Sequence, residues 1–300
     1  MIDVKIFLIF IQTKNKDFSH TLTTKTMKRI LVPTDFSSHA ESALKIAAQI
    51  AKKSNSEIFL LHMIEVPSQM NDAVTGATGI PETMLFIQKA KETLQKSKEK
   101  EYLKGIQITE QISFERAHEG ILSFSTKNEI DLIVMGSHGI SGIEEILIGS
   151  NTEKVVRLSD TPVLVIKKNT SELKVENFVF VSDFSEETKK PFKKMLEFTK
   201  LFDAKLHLTM ICTPNSFKTT ALSEQITSDF TTAFDLKNYA THIYNDTNIE
   251  KGIINFSNKI NADLIGLCTH GRTGMAHFFT GSISEDLVNH AAKPVITFKI

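Results

Sequence analysis

A chain of 300 residues is long enough for two domains of ordinary size. Its 35 basic and 35 acidic side chains cancel, so no net field draws it toward nucleic acid or an anionic membrane surface. Only two cysteines occur, Cys212 and Cys268, and nothing resembles a secretory cleavage site; this argues against a disulfide-stapled secreted scaffold and for a reducing cytoplasm.

The chain opens with an apolar run, Ile6 to Ile11, which is only about a third of the length of a membrane-spanning helix. A second methionine, Met27, is followed at once by Lys28-Arg29-Ile30-Leu31-Val32-Pro33, so residues 1–26 read as an N-terminal extension or a mis-assigned start. From Met27 onward strand-like and helical runs alternate, the pattern of a parallel sheet with helices on both faces. The first series predicts strands over 29–33, 57–64, 107–113, 131–136 and 163–167, and helices over 39–53, 81–104, 117–128 and 152–159. The stretch 66–80, with Gly76 and Gly79, reads as a long loop and a candidate lid.

The second series repeats the first. Strands are expected over 178–182, 205–212, 241–244, 263–268 and 295–299, and helices over 186–202, 222–234, 249–260 and 283–290. This is an internal duplication. It divides the chain into a first domain over 27–168, a short polar linker over 169–176 and a second domain over 177–300. Local matches support it: Val32-Pro33-Thr34-Asp35-Phe36-Ser37 aligns with Val181-Ser182-Asp183-Phe184-Ser185 after dropping one residue, and Thr161-Pro162-Val163-Leu164-Val165 aligns with Lys293-Pro294-Val295-Ile296-Thr297.

Chemistry concentrates where the fourth strand hands over to a helix. There Gly136-Ser137-His138-Gly139, nine further residues and then Gly149-Ser150 read as a phosphate-binding loop. Glycines let the backbone approach an anion, and the first amides of the following helix supply donors and a favourable dipole. The second copy has Cys268-Thr269-His270-Gly271, nine residues and Gly281-Ser282, so a cysteine stands in place of the first glycine. If that position needs positive φ, the replacement costs about 1–2 kcal/mol.

Taken together, the Pro-Thr-Asp-Phe-Ser run, the Leu61-His62-Met63-Ile64 strand, the spaced glycine loop and the closing Thr-Pro-Val-Leu-Val strand resemble the universal stress protein family in a tandem, two-domain form. The resemblance covers essentially everything from Met27 onward. It implies two Rossmann-like domains, each with a five-stranded parallel sheet, and ATP or another adenine nucleotide in the first domain, with Mg²⁺ able to accompany it. Carried over residue by residue, the implied site is Asp35, Met63, Met135, Gly136, Gly139, Gly149, Ser150 and Asn151. Asp35 would meet the adenosine part, Met63 the adenine, and the glycines with Ser150 the ribose and phosphates. A second site would use Asp183, Met210, Gly271, Gly281 and Ser282.

Plainer readings stand beside these. Asp35 and Asp183 are also reasonable helix caps, in competition with Ser37 and Ser38. His62 lies in an apolar strand and reads as a buried, hydrogen-bonded histidine. His138 and His270 fall in the glycine loops, where they reach either phosphate or solvent. Cys212 and Cys268, at the ends of neighbouring strands, invite a metal reading with His207 and His270, but His207 and Cys212 differ in strand parity and face opposite ways. Neither a metal nor a catalytic residue is therefore assigned. No Walker lysine follows the glycines, and Glu144 and Glu145 fall in the spacer, so a regulatory stress-response binding protein is favoured over a slow ATPase or a ligand-independent interaction protein. The final strands, 163–167 and 295–299, would each leave a sheet edge and are expected to pair with one another inside one chain. Association of two chains is compatible with this arrangement.

Overall fold

Strands buried on both faces of a parallel sheet must be apolar along their whole length, and runs such as Ile30-Leu31-Val32 and Val163-Leu164-Val165-Ile166 meet that demand. The structure, a computed structural model, describes residues 27–65, 80–137, 148–167, 170–269 and 287–300. In the first half the order is β1 (Arg29–Thr34), α1 (Ser38–Ser54), β2 (Glu57–Met63), α2 (Ile80–Lys98), β3 (Ile108–Ser113), α3 (Ala117–Lys127), β4 (Leu132–Gly136), α4 (Ser150–Leu158) and β5 (Val163–Ile166). The second half follows with β6 (Asn177–Val181), α5 (Lys189–Thr199), β7 (Lys205–Cys212), α6 (Thr220–Thr231), β8 (Tyr239–Asn245), α7 (Ile249–Lys259), β9 (Leu264–Thr269) and β10 (Val295–Lys299), with residues 287–290 helical.

The ten strands among the described residues belong to one sheet, in the order β3-β2-β1-β4-β5-β10-β9-β6-β7-β8. Pairing is parallel within each half and antiparallel at the join, where Val163, Leu164 and Val165 face Thr297, Ile296 and Val295. Each half is thus the Rossmann-like α/β unit expected, and the two final strands do pair with each other. Two cores result, one on each face, and both run across the join. The first holds Ile30, Val32, Leu44, Phe178, Phe180 and Phe192; the second holds Leu31, Ile133, Val155, Val179, Ile265 and Phe256. The linker is not the plain polar spacer expected: Leu173 and Val175 are buried, and Gln49 of α1 grips it through Leu173 N at 2.9 Å and Ser171 O at 3.1 Å.

Several elements depart from the sequence reading, among them α6, at Thr220–Thr231 rather than 222–234, and β8, at Tyr239–Asn245 rather than 241–244. The helix expected over 81–104 stops at Lys98, and a separate 3-10 turn follows at Glu101–Leu103. The helix expected over 152–159 begins two residues earlier, at Ser150. The helix expected over 186–202 begins as a 3-10 turn, Glu186–Thr188, before α5 starts. Pro191 explains this last case, because its ring would clash with the carbonyl of Glu187 and it has no N–H to donate, so an α-helix cannot run straight through from Glu186. Of the candidate lid at 66–80, Ile80 is the first residue of α2; residues 66–79 and the extension at 1–26 lie outside the described residues.

Candidate functional site

The two copies of the β1 turn are built alike. Thr34 Oγ1 accepts from Phe36 N at 3.0 Å and Asp35 Oδ1 accepts from Ser37 N at 3.0 Å; in the second half Ser182 Oγ accepts from Phe184 N at 2.9 Å and Asp183 Oδ1 from Ser185 N at 3.0 Å. The alignment therefore runs without a gap, Thr34 matching Ser182, which corrects the one-residue deletion read from sequence. Phe36 and Phe184 carry positive φ, 65° and 57°. For a bulky side chain this is a strained conformation, held here by the hydroxyl and carboxylate bonds on either side. The carboxylates act in the turn itself; the cap of α1 is Ser37, whose hydroxyl accepts from Ala40 N at 3.2 Å.

Parallel pairing brings the ends of β1, β2 and β4 together. Thr34 is opposite His62, so Asp35 and Met63 leave the sheet side by side, and β4 lies against the other flank of β1. His62 is half-buried rather than fully enclosed; its Nδ1 is 2.8 Å from Thr34 O and its ring lies 4.4 Å from that of Phe36. The Met63 side chain turns down onto α3, so close to Gly120 that a Cβ there would lie 2.1 Å from its methyl carbon. In the second half Gly252 meets Ile211 in the same way. Ile211, not Met210, therefore occupies Met63's place; Met210 is the counterpart of His62 and is buried on the opposite face, in the first core. Met135 is 6% exposed and its side chain belongs to the second core.

Gly136 closes β4 for a reason other than the one expected. Positive φ is not required, since Gly105 is the one glycine among the described residues with that conformation. A Cβ at Gly136 would instead lie 2.7–2.8 Å from backbone and Cβ atoms of His39 in the first turn of α1. The equivalent turn of the second half is the 3-10 turn before α5, and there Cys268 is accommodated, fully buried in the first core on the helix side. Burial, with Asp183 adding to it, pushes the Cys268 thiol far above its ordinary range. The cost assigned from sequence to a non-glycine residue with positive φ does not arise. Nor are Cys212 and Cys268 on neighbouring strands: β6 lies between β7 and β9.

The handover from β4 to α4 is tied at several points. Gly149 N donates to Ser137 O at 2.9 Å, Ser137 N donates to Ile166 O at 2.9 Å, and Thr152 Oγ1 donates to Gly136 O at 3.0 Å. Gly149 takes the cap position of α4 and has no side chain to satisfy its first amides, with Ser150 and Asn151 exposed beside it. This arrangement can hold an oxyanion at the helix start, and a carboxylate-bearing turn lies at the same edge of the sheet for hydroxyl or amine groups. The donor set suits a ligand that carries both an oxyanion and hydroxyl or amine groups. Gly139, His138, Glu144 and Glu145, and in the second half His270, Gly271, Gly281 and Ser282, lie outside the described residues.

Two features were not read from sequence. Thr152 fastens α4 to β4, and its place just after Gly149-Ser150 was the available signal. Asn289 was hidden by distance along the chain: its Oδ1 accepts from Ile148 N at 2.6 Å, across 141 residues. A cavity of about 230 Å³ also opens on the α1 and α2 side of the β1 turn, lined by Thr34, Phe36, Glu41, Lys96 and Lys100 among others, apart from the described glycine-loop residues.

The universal stress protein family profile matches residues 26–167 and again 174–299. A universal stress protein of Methanocaldococcus jannaschii is 32% identical over 157 residues, covering 48% of this chain and 97% of that protein. One from Synechocystis sp. aligns over 91% of this chain and all of its own length at 22% identity. Among solved structures, a universal stress protein from Archaeoglobus fulgidus superposes with a TM-score of 0.69 at 21% identity, over 90% of this chain and 98% of its own. With the profile matched twice along its length, the chain belongs to the universal stress protein family and carries two copies of the family's domain in one polypeptide.

Proposed function

We propose that the first half binds ATP or a related adenine nucleotide at the C-terminal edge of β1, β2 and β4, and that occupancy of this site serves a regulatory role in a stress response. The observation that carries the reading is that the Asp35 turn ends β1 and the start of α4, with no side-chain cap, follows the neighbouring strand β4 at the same edge of the sheet, the switch point at which open α/β sheets take ligands. The resemblance to ATP-binding members of the family assigns Asp35 to the adenosine part, Met63 through its backbone to adenine, and Gly136, Gly139, Gly149, Ser150 and Asn151 to ribose and phosphates, with Met135 beneath them. Mg²⁺ would arrive with the nucleotide as its counter-ion. The repeated Asp183 turn, and a Cys268 side chain directed into the core, keep a second adenine-nucleotide site within the proposal, with Ile211 in place of Met210. Two free, buried thiols suit a cytoplasmic protein; among the described residues no helix is long and apolar enough to cross a membrane.

Binding of ATP to the full chain, followed by calorimetry, tests the reading. The unaltered protein is expected to bind and to unfold at a higher temperature with ATP present. Asp35→Asn keeps an oxygen for Ser37 N and so keeps the turn, while loss of the carboxylate weakens ATP about tenfold, the equivalent of one charge-assisted bond. Absence of both bound nucleotide and thermal shift in the unaltered protein would overturn it.

A further inference from the structure

The backbone that leads into α4 in the first half is held by a residue of the second half. Ile148, directly before the Gly149 cap of α4, is buried at 7% exposure, and its N–H is met by Asn289 from the far end of the chain. A buried amide with no partner is costly, so the carboxamide oxygen is the group that lets the backbone enter α4 at this point. Asn289 is itself firmly held. Leu287 and Val288 beside it are fully buried, the Val288 carbonyl accepts from Lys167 Nζ at the end of β5, and His290 Nδ1 meets Glu250 of α7. The next amide along the chain, Gly149 N, is fixed to Ser137 O.

We propose that Asn289, supplied by the second half, is a positioning residue for the first half's nucleotide site. It sets the phosphate end of that site by holding Ile148 N, and through it the first turn of α4. The proposal rests on reading that end as the place where phosphate binds.

The test uses the full chain with Asn289→Leu, which keeps the size and removes the acceptor; Asn289→Ala, which removes it without bulk; and Asn289→Asp, which restores it. Affinities for ATP and adenosine are measured beside amide exchange of the segment holding Ile148. Both variants lacking the acceptor are expected to weaken ATP about tenfold, the factor of one lost buried hydrogen bond, with adenosine unchanged and the Ile148 amide exchanging faster. Asn289→Asp is expected to restore protection of that amide and most of the ATP affinity. Equal ATP affinity in all four proteins would overturn the inference alone, as would an equal loss for ATP and adenosine, which marks general loosening. If the unaltered protein bound no adenine nucleotide, the nucleotide reading would fall first.

Discussion

Single residues at the site answer to their packing before they answer to any ligand. Gly136 is the clearest case, since the nearest atoms to its missing Cβ belong to the backbone of His39, which cannot swing aside as a long side chain can. Gly136→Ala is expected to destabilise the protein by about 1–3 kcal/mol through forced separation of β4 and α1; urea unfolding measures this, and an unchanged midpoint would remove the steric account. From sequence this glycine stood out as special and Asp35 was placed on the correct turn, while Gly149 and Ser150 were set just ahead of a helix that in fact begins at Ser150. The reason for Gly136 was not legible, because an approach between residues nearly a hundred positions apart has no local signature. The same holds for Met210. Sequence reading named Met210 as Met63's counterpart, and it takes the contact of Ile211 with Gly252 to move that place by one residue.

Elements, by contrast, announced themselves through period and composition. The strands fall within a few residues of their expected bounds because buried parallel strands are apolar without interruption, while the polar edge strands β3 and β8 were bounded by their turns. What sequence did not reveal was compensation between elements. Gly266 in β9 faces Phe178 in β6, whose ring carbons would lie 2.7 and 2.8 Å from an added Cβ, where the matching positions of the first half hold Val134 and Ile30. Nor was the histidine pair legible. His207 Nδ1 lies 2.9 Å from His242 Nε2, His207 Nε2 lies 3.2 Å from Asn177 Oδ1, and Phe256 of α7 covers His242 at 4.9 Å. Burial first, then His242 and Lys205, pushes His207 down to about 4; burial, then Lys205 and Lys259, also lowers His242. An unfolded histidine takes its proton near pH 6.5. Between pH 6.5 and about 4 the unfolded chain thus holds more protons than the folded one, and stability falls as pH falls. Urea midpoints are expected to drop from pH 7 to pH 5. His207→Gln, which retains polar contacts without titrating, should flatten that slope; an identical slope would sever it from this pair.

At the scale of the molecule the duplication produces one sheet rather than two linked domains. Each core takes residues from both halves, and the β5–β10 pairing lies at its centre. Unfolding is therefore expected as a single cooperative transition, with probes placed in either half reporting one midpoint. Ile296→Lys, which buries a charge beside Leu164, is expected to lower both readings together; two separate transitions would show that the halves are energetically independent. The duplication, the two families of strands and the pairing of the final strands could all be read in advance from matched motifs and the need to cover an edge. The docking of residues 287–290 against Ile148 could not, because it depends on how the antiparallel join sets the last turn of one half beside the loop of the other. That join also governs what the protein is free to change. Where two identical chains meet about a twofold axis, every substitution is made at both ends. Here Asn289 stands on one side, and the residue in the matching position on the other is Arg157. One polypeptide holding both copies can specialise one end and leave its twin as scaffold, so the asymmetry is heritable in a way that an assembly of identical chains cannot achieve.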